Sequence, residues 1–379
     1  MGLSALGAGL RLAVALAVLF GSAACGSLAP TFPELTAWDD RPAGSLAIEP
    51  DERKLWEEAR EAVGELEQAE LLAADEGVET YLAGIVSKLS PPSAAAGPKL
   101  RVEVLLRDER NAAALPDGTI LFDLPLLASF ENEAQLAFIL GHEIVHILHR
   151  DSLRSSRYGE ATPSHVHRMK LSRELEAEAD RKALGLMAAA GYSPGEAESA
   201  LAKAGSEERS SHHPWDSHFD LGHRRGVLRR LLKEQPGADG ALRAEPFEAA
   251  LDAVRLRAVE IELEAGRFDR ALALVGKQIA RHPGDGPAFA LRARITGAKD
   301  PAELHSDAVR ADLERAVLLG PNDADSLRAL GLWLRDAGDR ASSGRVLRRY
   351  LEVLPDAYDR KLIERYLVAE DPAGDPADR

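Results

Sequence analysis

One short motif, His142-Glu143-x-x-His146 in the segment ILGHEIVHILHR, combines residues that can bind and use a metal ion. On a helix, side chains four positions apart lie on one face, so the two imidazoles can bind a single zinc ion. Glu143 lies beside the first histidine, in the place of a general base that acts on a water at the metal. The motif predicts zinc-dependent hydrolysis, against the alternative of a helix with two exposed histidines.

A catalytic zinc site needs a third protein ligand, and a later glutamate-rich segment supplies candidates. Glu174, Glu176 and Glu178 alternate along this segment, which is also compatible with an ordinary solvated helix. Asp180 stands four residues after Glu176, on the same helical face. Its carboxylate could hold a ligand histidine through the second ring nitrogen, as outer residues of metal sites commonly do.

Two helices must bring these residues together. Asn132 and Gln135 form a capping-box pattern, which predicts a helix that runs to about Arg150. Ser172 is predicted to begin the second helix, and Gly191 to end it as the residue just past its last turn. The polar stretch between them, 151–171, is predicted to be a loop or a short helix.

Upstream of the motif, the pattern predicts two helices followed by a small sheet. The helices are expected at 51–72 and 76–89, because apolar residues recur there at helical spacing. Alternating and β-branched residues predict strands at 100–106 and from Thr119 to Phe122. The predicted fold class is therefore mainly α with a small β-sheet.

These segments resemble the CAAX prenyl protease family, metallopeptidase family forty-eight. HEIVH and the later SRELEAEADRKALGLMAAAGYSP are similar to the family's H-E-x-x-H and E-x-x-x-D patterns, which implies that Glu176 is the third ligand and Asp180 its partner. The resemblance implies an α+β zincin-like domain with one zinc ion per chain. NAAALPDGTILFDLPLL resembles the family's edge strand, which implies that Asn111 and Ala112 bind substrate backbone.

The chain also departs from the family pattern. The family often has Arg-His shortly after the second zinc histidine, where this chain has Arg150-Asp151. It often has His-Pro with an arginine six residues after the histidine, and the segment HHPWDSHFDLGHRR splits these features. We favour His218 and Arg224 as the pair near the oxyanion, with His213 and His223 as alternatives.

The N-terminus predicts export and lipidation. A short apolar run, LAVALAVLF, and small residues precede Cys25, which resembles a lipoprotein signal peptide at 1–24. Lipid on Cys25 would anchor the chain to a membrane, and the Pro-, Gly- and Ala-rich segment 25–50 would form a tether. Gly26, rather than aspartate, resembles outer-membrane sorting, so we expect a periplasmic lipoprotein anchored to the outer membrane.

The C-terminal part shows a repeat. Proline ends three helical segments at spacings of 38 and 34 residues, at Pro283, Pro321 and Pro355. This resembles the tetratricopeptide repeat and predicts an α-solenoid at 246–368, after a peptidase domain at 51–235 and before a disordered tail at 369–379. The whole architecture is similar to the BepA-like branch of the family. The alternative is an ordinary helical bundle.

Composition excludes some partners. The formal net charge of −15 is a poor match for nucleic acid, whose binding depends on basic residues, so no nucleic-acid partner is expected. The single cysteine, Cys25, excludes an intramolecular disulfide and a Cys-rich zinc cluster.

The leading prediction is a zinc-dependent endopeptidase of the bacterial cell envelope that cleaves misfolded or stalled envelope and outer-membrane proteins. Its partners would be protein or peptide substrates, and proteins bound by the repeats. The main alternative is a repeat-based chaperone or scaffold with a quiet or latched zinc site, in which His149, His165 or His167 adds a fourth ligand. A zinc-free structural protein is the third interpretation.

Overall fold

The architecture comes from a computed structural model of the chain. It describes residues 35–42, 48–161, 165–204, 221–234 and 240–370. Within these ranges the chain is mostly helical, and its strands form one small sheet. The described chain divides into two compact units: the first extends to Phe247 except for 106–109 and 127–129, and the second takes those two segments and the residues from Glu248. The domain bounds given above stay a prediction.

The described part of the chain up to Leu251 contains nine helices and three strands. The helices are α1 Pro50–Gln68, α2 Glu76–Leu89, α3 Leu124–Ser129, α4 Glu133–Leu148, α5 Asp151–Ala161, α6 His165–Ala189, α7 Ala197–Ala204, α8 Leu221–Glu234 and α9 Ala244–Leu251. The strands are β1 Arg101–Leu105, β2 Ala112–Ala114 and β3 Thr119–Asp123. Short 3₁₀ helices lie at Trp38–Asp40, Pro92–Ala96 and Pro194–Glu196. These counts refer to the described ranges alone.

The sheet has the order β1-β3-β2. β1 is parallel to β3, with Arg101 opposite Thr119, and β2 is antiparallel to β3, with Ala112 opposite Phe122. β2 therefore lies at an edge of the described sheet, where it packs against α4. The strands predicted at 100–106 and 119–122 are found, each within one residue at either end.

Helix α4 is the centre of the first unit. Asn132 caps it by accepting a hydrogen bond from the backbone N–H of Gln135 at 3.0 Å, as the capping pattern predicts. The side chain of Gln135 reaches back to accept from the N–H of Glu131, one residue before the cap. The helix packs against α2, α6 and α7, and all but one of its residues are buried. Because α4 is packed between its neighbours, the orientation of the face that carries His142 and His146 is fixed.

Several predicted helix limits are wrong. The stretch 151–171 is largely helical: α5 occupies its first half, and α6 begins at His165 rather than at Ser172. Helix α1 ends at Gln68 rather than at residue 72, and Leu72 instead forms an isolated bridge with Leu105. Polar residues around Gly159 hide the helical period of α5, which is stabilised by its contacts with α1, α4 and α6.

The second unit is a succession of helices, each packed against the next. They are α10 Arg255–Glu264, α11 Phe268–Arg281, α12 Gly286–Lys299, α13 Asp307–Leu319, α14 Ala324–Asp336, α15 Arg340–Val353 and α16 Arg360–Glu370, with a 3₁₀ helix at Pro301–His305. Contacts between chain neighbours are typical of repeat arrays. Assignment to the tetratricopeptide class stays a prediction.

Local signals explain these helices. Asp285, Ser306, Asp323 and Asp339 each cap a helix by accepting from a backbone N–H three residues on. Gly266 and Gly338 have positive φ angles of 73° and 88° in the tight turns after α10 and α14, a conformation that glycine adopts at little cost. Side-chain caps therefore begin the four successive helices α12 to α15.

Some sequence predictions fall outside the described residues. They include the signal peptide at 1–24, Cys25 and its lipid, and the oxyanion candidates His213 and His218. Of the tether at 25–50, only 35–42 and 48–50 are described. Among the described helices, none has both the length and the apolar character required to cross a bilayer.

Candidate metal centre

The two histidines of the motif face one point from consecutive turns of α4. Their Nε2 atoms lie 3.0 Å apart, and both rings are largely shielded, with 2% and 13% of the His142 and His146 side chains exposed. Glu143 is also buried, next to His142 on the same helix. The helix thus presents two imidazole nitrogens and a neighbouring carboxyl group, as the motif predicts.

Helix α6 brings Glu176 to the same point. Its Oε2 lies 3.4 Å from the Nε2 of His142, and its Oε1 lies 3.6 Å from the Nε2 of His146. Glu176 is 3% exposed. The other two candidates lie elsewhere: Glu174 is exposed, and a carboxylate oxygen of Glu178 is 3.6 Å from His149. The structure therefore brings together the three residues that the sequence predicted as ligands.

This cluster fits a zinc ion. One ligand atom from each of His142, His146 and Glu176 can be chosen so that all three lie within 4.8 Å of one another. Tetrahedral zinc with bonds near 2.0–2.1 Å places its ligand atoms about 3.3 Å apart, close to the three separations above. Two imidazoles and one glutamate also form a donor set that catalytic zinc commonly has. The three residues form a possible metal site.

Each histidine is held through its other ring nitrogen by a carboxylate. Asp180 lies 3.0 Å from the Nδ1 of His142, and Asp151 lies 2.8 Å from the Nδ1 of His146. Such partners orient an imidazole so that its Nε2 faces a metal. Burial lowers the pKa of His146, but Asp151 and the charge of Glu176 outweigh this and raise it to about 9. A metal ion on the Nε2 of His146 would take the place of a proton there.

Arg224 on α8 lies behind the ligands and is buried. Its Nη2 donates to Asp180 at 2.6 Å, and its Nη1 is 2.7 Å from an oxygen of Glu176. Burial would raise the pKa of Asp180, but hydrogen bonds from Arg224 and His142 lower it to about 2. Arg224 thus holds two carboxylates in place, whereas the sequence pattern assigned it to the oxyanion together with His218. His223, an alternative for that role, is exposed.

The proposed fourth ligand His149 has other neighbours. Its Nε2 lies 2.5 Å from the ammonium of Lys182 on α6, and its Nδ1 faces Glu178. A nearby ammonium disfavours a metal ion on that nitrogen. The side chains of His165 and His167 lie outside the described residues, so their predicted role as a latch stays a prediction.

The predicted substrate residues lie at the start of edge strand β2. The backbone N–H of Asn111 donates to the Asp123 carboxylate at 3.0 Å, and the N–H of Asp123 donates to the carbonyl of Asn111 at 2.9 Å. Both backbone groups of Asn111 therefore face the sheet, and Ala112 is the first residue of the strand itself. The role of Asn111 and Ala112 in binding substrate stays a prediction.

Sequence reasoning missed Asp151 and the pairing of Arg224 with Glu176. The signal for Asp151 was present, because it follows the helix end directly and stands five residues after His146. In the sequence, Asp151 stands out only as a departure from the Arg-His of the resembling family. The contacts of Arg224 depend on how α8 packs on α6, which residue spacing does not encode.

Comparison with known proteins gives two results. Residues 77–167 match Peptidase family M48, and this range includes His142, Glu143 and His146 but ends before Glu176. The chain is also 33% identical over 124 residues to the mitochondrial metalloendopeptidase OMA1 of Arabidopsis thaliana, which covers 27% of this chain. The chain spans about a quarter, 26%, of the length of that curated relative.

Proposed function

We propose that this protein is a zinc-dependent endopeptidase. The observation that carries the proposal is the convergence of His142, His146 and Glu176 on one point, with Glu143 buried beside them on the same helix. The match of residues 77–167 to a peptidase family, and the similarity to a metalloendopeptidase, support the same reaction. Peptide bonds of proteins are the substrate class that follows.

His142, His146 and Glu176 would hold the zinc ion. When bound, zinc polarises the scissile carbonyl and makes a water molecule nucleophilic at neutral pH. Glu143 then takes the proton from the attacking water and passes it to the leaving amine, so one carboxylate serves first as base and then as acid. Its burial beside the ligands removes competing water and strengthens these interactions.

The surrounding residues keep this arrangement in place. Asp180 and Asp151 fix the rings of His142 and His146, as their short contacts with Nδ1 indicate. Arg224 neutralises Asp180 and approaches Glu176, so that two carboxylates can remain ionised next to each other. We assign Arg224 to positioning, and leave the oxyanion to zinc and to His218.

Metal removal tests the proposed reaction. The purified full chain, incubated with an unfolded protein such as casein, is expected to produce internal cleavages. A chelator should abolish cleavage, and one equivalent of zinc per chain should restore it, because the site holds one ion. Cleavage that continues unchanged after complete zinc removal would contradict the proposal.

We further propose that the enzyme acts in the bacterial envelope as a lipoprotein. The support is the signal-like segment at 1–24 followed by Cys25. The substrates would be misfolded or stalled envelope and outer-membrane proteins, with Ala112 and its strand β2 holding an extended segment by strand addition. The helices of the second unit would bind protein partners.

Lipidation is directly measurable. A radioactive fatty acid should label the wild-type protein, whereas Cys25→Ala should remain unlabelled, because the thiol is the attachment point. Cys25→Ser provides a second variant of nearly the same volume and should also remain unlabelled. Equal labelling of all three proteins, or a soluble mature form cleaved elsewhere, would show that Cys25 carries no lipid.

One observation favours a second function. The consecutive packing of α10 to α16 is typical of arrays that bind other proteins, so the chain could act as a chaperone or scaffold for envelope protein assembly. In that case its zinc site would be quiet or latched. The two functions differ in whether Glu143 is required in the cell.

A further inference from the structure

We propose that the N-terminal brace is a positioning device for the metal centre. The N-terminal brace is defined here as residues 35–42 together with Glu49–Glu52 at the start of α1. It holds Arg150, which in turn sets Asp151 against the ring of His146. The inference rests on the proposed zinc site.

The first step is the turn that ends α4. Arg150 has φ of 58°, and its N–H donates to the carbonyl of Ile147 at 3.0 Å. This left-handed position after a helix is usually glycine, because a side chain there is strained. Arg150 is one of three non-glycine residues with positive φ in the described ranges. Other contacts of Arg150 must therefore compensate for the strain of a side chain in this backbone conformation.

The second step is the burial of the Arg150 side chain. Its Nε donates to one oxygen of Glu52 at 2.8 Å, and its Nη2 to the other at 2.5 Å, which forms a bidentate pair. Both partners are almost fully buried. The guanidinium also lies 4.9 Å from the ring centre of Trp38 and 3.4 Å from the carbonyl of Thr36. The N-terminal brace thus encloses Arg150 from several sides.

The third step leads from Arg150 to the metal ligand. Asp151 is the next residue, it begins α5, and its Oδ2 lies 2.8 Å from the Nδ1 of His146. Its other oxygen accepts from Arg154 at 3.1 Å. Because Asp151 follows Arg150 directly, the backbone conformation fixed at Arg150 determines where its carboxylate lies. The chain of contacts is thus Glu52 to Arg150 to Asp151 to His146.

Sequence explains why arginine stands here. Glycine would adopt the turn without strain, but it would leave the turn free to move and Glu52 without its partner. Arginine adopts the strained conformation, and its planar guanidinium group holds it in place through two hydrogen bonds to Glu52. Glu52, a buried carboxylate on an otherwise amphipathic α1, is explained by the same pair. The N-terminal brace therefore contributes to the orientation of the His146 imidazole through Arg150 and Asp151.

The test measures zinc affinity and stability separately in the full chain. Zinc dissociation constants are measured by competition with a chromophoric chelator, and thermal unfolding is measured on the zinc-free protein. Asp151→Asn should weaken zinc binding by roughly 10–100-fold, the usual effect of losing an outer partner. Glu52→Gln should weaken it by about tenfold, at the lower end of that range, because it acts one step further away.

A double variant separates positioning from folding. Glu52→Gln alone removes the buried carboxylate partner of Arg150 and leaves the longer contact with Glu49 at 3.4 Å, so this variant is expected to unfold at lower temperature. Glu52→Gln with Arg150→Gln removes both charges and should regain stability, yet bind zinc as weakly as the single variant. When loaded with cobalt, both the single and the double variant should have a visible spectrum that differs from that of the wild type. Lys54→Gln removes a largely exposed pair to Glu58 on α1, outside the N-terminal brace, and should bind zinc like wild type.

The outcomes are distinct. Zinc affinity that is unchanged in Glu52→Gln, or that recovers together with stability in the double variant, would overturn the inference. Normal affinity in Asp151→Asn would also overturn it. If the wild-type protein itself binds no zinc, the proposed function fails, and the inference fails with it.

Discussion

Replacement of Glu143 by glutamine is expected to abolish peptide hydrolysis while leaving the metal in place. Glutamine has nearly the volume of glutamate and can keep its hydrogen bonds, but it cannot accept the proton from water. The loss should be at least the roughly 10²–10⁴-fold that general acid–base catalysis contributes. Because Glu143 is not among the residues that form the metal cluster, zinc content should remain at one ion per chain.

The matched control is Glu174→Gln. Glu174 carries the same change of charge, but it is exposed on α6 and absent from the metal cluster. It should cleave the unfolded substrate at the wild-type rate. Hydrolysis that survives in Glu143→Gln, with kcat within a few-fold of wild type, would remove Glu143 from the catalytic role assigned to it.

The same variant distinguishes the enzyme from the scaffold in the cell. If proteolysis is the function, Glu143→Gln should fail to correct the envelope defects of a strain that lacks the gene, while its partners still bind. If scaffolding is the function, the variant should correct them fully. Partner binding can be measured by co-purification of wild-type and variant protein in parallel.

Replacement of Glu176 by glutamine has the second largest expected effect. A neutral amide is a much weaker zinc ligand than a carboxylate, so zinc affinity should fall by more than the roughly 10–100-fold expected for losing an outer partner. The change also leaves Arg224 with one fewer carboxylate, because its Nη1 lies 2.7 Å from Glu176. Hydrolysis should be lost together with the zinc.

Glu174→Gln and Glu178→Gln provide the comparison, because each removes a carboxylate from α6 within two positions of Glu176. Both should keep one zinc ion per chain. Retention of zinc by Glu176→Gln, together with its loss in either neighbour, would mean that α6 presents a different face to the metal. The register that brings Glu176 to 3.4 Å from His142 would then be incorrect.

The metal helix could be predicted from the sequence for physical reasons, whereas the choice of Glu176 among three glutamates came from the family resemblance. Asn132 and Gln135 fix where α4 begins, and the four-residue spacing then places His142 and His146 on one face. Asp180 followed from its spacing to Glu176, and it does lie against the Nδ1 of His142. These are local relations within one helix, which periodicity encodes.

Relations between elements were harder to predict. Asp151 follows a left-handed turn at Arg150 and lies against His146, and the side chain of Arg150 pairs with Glu52, which lies far away in the sequence. Arg224 reaches Glu176 because α8 packs on α6. Residue patterns identify such partners as polar residues in helices, but the distances between helices decide whether they meet.

The number of protein ligands on the zinc ion tests the account most directly. X-ray absorption of the zinc-loaded wild-type chain should fit two imidazole nitrogens and oxygen ligands, with His142 and His146 as the imidazoles and Glu176 among the oxygens. That result leaves one position for water and supports an active peptidase. A third imidazole in the coordination shell would contradict the account, because a protein ligand would then occupy the position that the reacting water requires.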